Sequence, residues 1–302
     1  MKCRAAIFIL LWTTAFAAFA QGGRVLITTL NCYAFFGGNE TTMQLGQPRT
    51  AADYWRKAGN LVGLWPTNPP LFIGLEEVGG QREVNALSYS AAVRYKHSFH
   101  PIFAGTKDTY TEEAVGAVMD FTQGWWILGK PGRDPDLDSA LSKHLVVHLT
   151  NSLLRASLEL CVVHLRRPIG EDGIHVQQNQ IQALKNWAVK RLAKNPQENL
   201  IVLGDFNEDK PAGNPAQSLF PLVQKNSPLC DPFSFWKEQP RTHADCKAYD
   251  RILLSGAIMA GDAGLKFENI SVQEHSHGKD AEKYWFTDHF PVTAALNYSA
   301  KK

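Results

Sequence analysis

Four apolar residues, Leu200-Ile201-Val202-Leu203, run into Gly204-Asp205-Phe206-Asn207. An apolar run this short, closed by a turn residue, reads as a strand buried on both faces. Side chains alternate along a strand, so Asp205 and Asn207 share one side of its end while Phe206 points away. The same ending recurs along the chain. Val25-Leu26-Ile27-Thr28-Thr29-Leu30 runs into Asn31, and Leu71-Phe72-Ile73-Gly74-Leu75 runs into Glu76-Glu77. Thr287-Asp288-His289-Phe290 leads into a strand-like stretch over 291–296. A single Asp or Asn after a strand is ordinary turn chemistry. Repeated polar ends on buried strands instead describe a rigid sheet scaffold that gathers a polar site.

The first twenty residues stand apart from that scaffold. Lys2 and Arg4 precede an apolar core over 5–17, and Ala18-Phe19-Ala20 supplies a small-x-small cleavage site. This predicts a signal peptide over 1–20, removed ahead of Gln21, and export of a single domain over 21–302. The apolar core is short for a membrane span, and no later segment reaches that length, so no stable membrane association is expected. Loss of Lys2 and Arg4 brings the formal charge from +2 to about zero. Bulk charge therefore says nothing for or against a polyanionic substrate, and phosphate recognition must be local. No linker, repeat or low-complexity run divides the chain, and a monomer is expected.

Five cysteines include Cys3 in the leader. Of the other four, Cys230 and Cys246 lie in polar, loop-like sequence and are the expected disulfide in an oxidising compartment. Cys32 and Cys161 sit in strand contexts and read as buried thiols. Thr50-Ala51-Ala52-Asp53 forms a capping box that opens a helix ended by Pro66, and a second helix is predicted over 176–194. Strands are expected around 114–119, 145–149 and 158–164, and a surface excursion over 211–240. The pattern is α/β, with strand-rich stretches between two strong helices.

Asn31, Glu77, His164, Asp205, Asn207, Asp250, Asp288 and His289 are the candidates for chemistry. Their hard oxygen donors suit Mg²⁺, with Mn²⁺ or Ca²⁺ as alternatives, better than a soft metal. Glu77 is the first choice of ligand, joined by Asp205, Asp288 and Asn31. Two histidines with acidic partners supply a base and an acid near neutral pH. Metal, base and acid together describe hydrolysis of a phosphate ester.

Leu30-Asn31, Leu75-Glu76-Glu77-Val78, Val163-His164-Leu165, Gly204-Asp205-Phe206-Asn207, Tyr249-Asp250-Arg251-Ile252 and Thr287-Asp288-His289-Phe290-Pro291-Val292 occur in that order. The set resembles the endonuclease/exonuclease/phosphatase superfamily over nearly all of residues 24–296. That resemblance implies a four-layer α/β/β/α sandwich. Within the superfamily the chain looks most like the deoxyribonuclease I family, through Cys246 ahead of Tyr249-Asp250-Arg251-Ile252 and through the loop from Gly105 to Glu112. By this likeness Glu112 orients His164 as the acid, Asp250 orients His289 as the base, and Cys230 pairs with Cys246. Tyr110, Lys143, Asn207 and Asn31 would contact the substrate.

Two positions depart from the family pattern. Glu76 stands where glutamine is usual, and Gly79 stands where an arginine enters the minor groove. The resulting expectation is a secreted, metal-dependent endonuclease acting on nucleic acid, DNA rather than RNA. A lipid or inositol phosphate hydrolase of the sphingomyelinase kind, or a non-catalytic toxin-like binding module, are the competing readings.

Overall fold

Alternation of side chains sets the layers. In the computed structural model, β1 (Gly23–Phe35) sends Val25 and Ile27 to one side and Leu30 and Cys32 to the other. β2 (Phe72–Val78) likewise splits Phe72 from Ile73 and Leu75. In β7 (Ala156–His164), Leu158, Leu160 and Val162 face away from Cys161 and Val163. β8 (Leu200–Asp205) divides Ile201 and Leu203 from Leu200 and Val202. One set from each strand meets in a shared core between two sheets, and the other set is covered by helices. The structure describes residues 23–36, 50–105, 108, 111–123, 126–152, 154–208, 220–223, 227–237, 240–276 and 287–298. The leader expected over 1–20 and the candidate Tyr110 lie outside them.

The first sheet runs β11 (Leu265–Val272), β12 (Val292–Tyr298), β1, β2, β4 (Ala114–Asp120), β3 (Phe99–Phe103). The second runs β5 (Ile127–Leu128), β6 (His144–Asn151), β7, β8, β10 (Asp250–Ser255), β9 (Leu229–Cys230). Each sheet holds one parallel pair, β1 with β2 and β7 with β8, and every other pairing is antiparallel. A parallel pair needs a crossover, and helices supply it. α1 (Ala51–Gly63) connects β1 to β2 and packs Tyr54, Ala58, Leu61 and Val62 on the first sheet, beside α2 (Gln81–Tyr95). α3 (Gly170–Lys194) connects β7 to β8 and packs Ile181, Leu184, Trp187 and Ala188 on the second. The result is the expected α/β/β/α order.

Local chemistry explains the boundaries. Thr50 Oγ1 accepts from the Asp53 N–H at 3.1 Å and donates to the Asp53 carboxylate at 2.8 Å, which starts α1 as the capping box predicts. α3 begins six residues before the predicted 176, because its N-cap, Ile169, offers no side-chain acceptor to mark the start. Glu171 and Asp172 complement its dipole instead. α2 was not foreseen, since its inner face includes Glu83 and Ser88 as well as Val84, Leu87 and Ala91. The excursion expected over 211–240 contains structure, namely β9 and a 3-10 turn over Pro232–Phe235 capped by Asp231. Gly204 has φ +140, and a Cβ there would lie 1.9 Å from the Val163 carbonyl oxygen, so the motif requires glycine.

The expected disulfide is not formed: Cys230 and Cys246 are free thiols. Cys230 pairs with Leu254 near the far end of β10, whereas Cys246 lies before Asp250 at the near end. Four strand residues separate those ends by about 13 Å, beyond the reach of a disulfide.

Candidate active site

The strands of both parallel pairs end on the same side of the molecule, and there Asn31 ties the sheets together. Its Nδ2 donates to Glu77 Oε1 at 2.9 Å and to Asp205 Oδ2 at 3.0 Å. Tyr33 and Ala34 adopt left-handed conformations, φ 52 and 49, which turn the Ala34 N–H onto Glu77 Oε2 at 2.9 Å. Buried Lys57 braces that turn by donating to the Tyr33 carbonyl at 2.5 Å. A register shift between Leu75 and Val78, with Glu77 at φ 53, separates the two glutamates of β2. Glu77 enters the groove, while Glu76 is fully buried and accepts from Thr29 Oγ1 at 2.7 Å.

His289 is held by both oxygens of Asp250, at 2.9 and 3.1 Å from Nδ1. Its Nε2 therefore faces the groove, 3.8 Å from Asp205 Oδ2 and 3.9 Å from Asp288 Oδ1. His164 presents Nε2 from the other wall, 3.8 Å from both Glu77 Oε1 and Asp205 Oδ2. Asn207 uses its amide to hold the Leu165 carbonyl at 3.0 Å, which fixes the chain just after His164. The groove between these walls has a volume of about 730 Å³.

Glu112 does not orient His164. It is exposed, and its φ of 56 turns the chain so that buried Glu113 faces inward instead. His164 Nδ1 is buried without a hydrogen-bond partner among the described residues. Glu113 and Asp108 bind Lys143 Nζ at 2.6 and 3.1 Å, so Lys143 lines the groove with its charge matched. Of the residues singled out from sequence, Asn31, Glu77, Lys143, His164, Asp205, Asn207, Asp250, Asp288 and His289 converge here. Sequence reasoning missed Glu113, Asp108 and His243. His243 Nε2 lies 3.1 Å from Asp288 Oδ2, Nδ1 lies 2.7 Å from Asp245 Oδ1, and the ring stands edge-on to His289. Only its place seven residues before Asp250 could have drawn notice.

The charges are crowded. Burial, then Glu113, raises the Glu77 pKa to about 7. Burial, with Asp250 adding to it against His289, raises Asp205 to about 6. Burial lowers His164 well below its ordinary value, helped by Lys143 and His289. Burial would lower His289 too, but Asp250, Asp205 and Asp288 outweigh it and hold that imidazole well above its ordinary range. The two shifts run opposite to the expected order, His289 being made the more basic imidazole and His164 the less. Carboxylates held protonated by desolvation and by each other are what a cation would relieve. Glu77 with Glu113 and His164, and Asp288 with His243 and His289, each bring donor atoms within 4.8 Å of one another. The Glu77 cluster, with two carboxylates beside Asp205 and Asn31, offers the hard oxygen donors that suit a cation such as Mg²⁺ or Mn²⁺. The Asp288 cluster supplies one carboxylate and two imidazoles.

No protein-family model matches the chain, and no curated protein sequence does. Solved structures do match over nearly their whole length. An endonuclease/exonuclease/phosphatase family protein from Bacteroides thetaiotaomicron aligns with TM-score 0.59 and 13% identity, over 92% of this chain and 99% of that one. The fold is that of the endonuclease/exonuclease/phosphatase proteins. A mannosyl-6-phosphatase from the same bacterium aligns with TM-score 0.59 and 12% identity, over 90% of this chain and 99% of that one. D. rerio TDP2, complexed with a single-strand DNA product, aligns with TM-score 0.58 and 17% identity, covering 91% and 99%.

Glu76, fully buried behind the groove, is the most perturbed carboxyl of β2. Burial raises its pKa well above the carboxylate range, and Asp250 and Asp205 add to the effect, against the Thr29 hydrogen bond. A carboxyl whose pKa is raised by folding keeps a proton that the unfolded chain gives up. Its cost to stability therefore begins above the unfolded carboxylate pKa of about 4.3 and grows as pH rises. Glu76→Gln keeps an acceptor for Thr29 and removes the titration. Its melting temperature should exceed that of the parent at pH 8, with the advantage vanishing toward pH 4. The gap should grow by ~1.4 kcal/mol per pH unit until the folded pKa is reached. A gap independent of pH would show that Glu76 folds in as an ordinary carboxylate.

Proposed function

We propose that the protein is a secreted, divalent-metal-dependent phosphodiesterase that cleaves nucleic acid, DNA first among candidates, by attack of water on phosphorus. One observation carries the reading: two histidines face each other across a floor of carboxylates, each with Nε2 within 4 Å of Asp205. Glu77 would hold the cation together with Asp205, Asp288 and Asn31, and the cation would supply Lewis-acid polarisation of a phosphoryl oxygen. His289, fixed by Asp250 at Nδ1, moves a proton at Nε2 on one side of the phosphorus, and His164 does so on the other. Asn31 keeps Glu77 and Asp205 at a set spacing, so the geometry is organised before substrate arrives.

The DNA assignment draws support from the deoxyribonuclease-like motif order and from the DNA-bound neighbour of the same fold. Duplex recognition has less support. A Cβ on Gly79 would meet the Phe36 ring at 2.6 Å, so the packing excludes the arginine that the family places there. A phosphomonoesterase is the second reading, favoured by Lys143 being already matched by Asp108 and Glu113. Purified protein should be offered plasmid DNA, single-stranded DNA, RNA, sphingomyelin and a sugar phosphate, with Mg²⁺, Mn²⁺ or excess chelator. Cation-dependent cleavage of single-stranded DNA is the expected result, and no turnover of any of them would defeat the hydrolytic reading. Export can be checked separately by the N-terminus of the protein recovered outside the cytoplasm, which should begin at Gln21.

A further inference from the structure

One wall of the groove carries charge that the hydrolytic centre does not use. After His164 the chain runs Leu165-Arg166-Arg167 along the groove toward α3. Other cations at the groove are matched by acids: Lys143 by Asp108 and Glu113, His243 by Asp245 and Asp288, His289 by Asp250. Arg166 and Arg167 are exposed, line the groove, and make no ion pair among the described residues. Of the acids in the adjoining first turn of α3, Asp172 lines the groove and Glu171 does not, so the lining contributed by 164–173 carries two arginines against one carboxylate.

Their backbone is fixed, although the side chains are exposed. The Leu165 N–H donates to the Asp205 carbonyl at 2.9 Å, and the Arg166 N–H donates to Gln180 Oε1 at 2.7 Å. The Ile169 N–H closes a turn onto the Arg167 carbonyl at 2.9 Å. Gly173 lets α3 press against that turn, since a Cβ there would lie 2.9 Å from the Arg167 oxygen. Two guanidinium groups are thus carried on a braced loop beginning one residue after His164. On extended chain His164 and Arg166, two residues apart, lie ~6.6 Å apart, the scale on which neighbouring phosphates follow one another along a strand. Guanidinium forks bind phosphate oxygens in pairs, and a fixed backbone lowers the ordering cost.

We propose that Arg166 and Arg167 bind a second phosphate of the substrate, next to the one attacked between His164 and His289. The inference rests on the phosphodiesterase reading and deepens it: the site selects molecules carrying at least two phosphates. Such a molecule is either a nucleic-acid strand or a soluble bisphosphate, and the test separates the two.

The Arg166→Gln, Arg167→Gln double variant should be compared with the parent on three substrates. These are a short single-stranded oligonucleotide, an inositol bisphosphate, and bis(4-nitrophenyl) phosphate, which has one phosphate. The ratio of kcat/KM on the oligonucleotide to that on the nitrophenyl diester should fall by about 10-fold or more, mainly through KM. Arg→Lys at both positions should restore part of the ratio. A fall on the inositol bisphosphate alone would keep the second-phosphate subsite and assign it to soluble bisphosphates. An unchanged ratio on both would overturn the inference. Binding gives a readout free of turnover. In chelator, the oligonucleotide affinity of the parent should decline with salt more steeply than that of the variant, by a log–log slope of about 0.7. Equal slopes would refute the subsite even if hydrolysis is real, whereas no turnover by the parent would sink the hydrolytic reading and this one with it.

Discussion

Glu77→Gln is expected to lower kcat/KM by about 10³-fold or more while the protein stays folded. The side chain is fixed at both oxygens, by Asn31 Nδ2 and by the Ala34 N–H. Glutamine has the same shape but brings its own NH₂ against one of those donors, and it offers a cation no charge. Folding should tolerate the change because the parent carboxyl is already costly, its pKa raised to about 7 by burial and by Glu113. Calorimetric titration with Mn²⁺ should show cation binding by the parent and its loss in the variant, with hydrolysis falling in parallel. Parent binding should also strengthen from pH 5.5 to pH 8 as Glu77 and Asp205 give up their protons. Full activity of the parent in excess chelator would remove Glu77 from the role assigned to it.

Asp250→Asn should cost about 10³-fold in kcat by a different route. Both carboxylate oxygens face His289 Nδ1, and Asp250 is foremost among the charges that hold that imidazole above its ordinary pKa. Asparagine presents one acceptor and no charge, so the ring can turn or change tautomer. With the anion gone the His289 pKa falls, and the limb of the kcat profile that belongs to this histidine should move to lower pH. A structural role alone would reduce the rate without moving the limb. The backbone N–H of residue 250 still meets Thr242 Oγ1 and β10 still pairs with β8, so the strand keeps its place. Losing the anion beside buried His289 should nevertheless lower the melting temperature at neutral pH, and less so at high pH.

What could be read in advance follows from where backbone geometry is regular. Asn31, Glu77, His164 and Asp205 were legible because each follows the apolar run of a strand in a parallel pair, although β1 continues past Asn31 to Phe35. Asp250 and His289 were legible through motif order, and the structure gives them the predicted contact. Glu113 was not, because the neighbour that faces the groove is decided by one left-handed residue, Glu112, which no periodicity reveals. His243 and Asp108 lie on irregular chain for which spacing carries no direction. The cysteine pairing failed because both residues looked loop-like, whereas Cys230 belongs to a short edge strand paired at the far end of β10 from Cys246. α2 stayed hidden because polar Glu83 and Ser88 interrupt its apolar face.

The pairing of β1 with β12, from Gly23 opposite Tyr298 to Thr29 opposite Val292, has a consequence during synthesis. A growing chain can assemble β1, β2, β4 and β3 early, but β1 keeps a bare edge until β12 emerges. Asp288 and His289 arrive on the residues leading directly into that strand. The candidate site and the closing of the sheet are therefore completed by one and the same piece of chain. A chain cut short before β12 lacks Asp288 and His289 as well as the strand, however much of the remainder has folded.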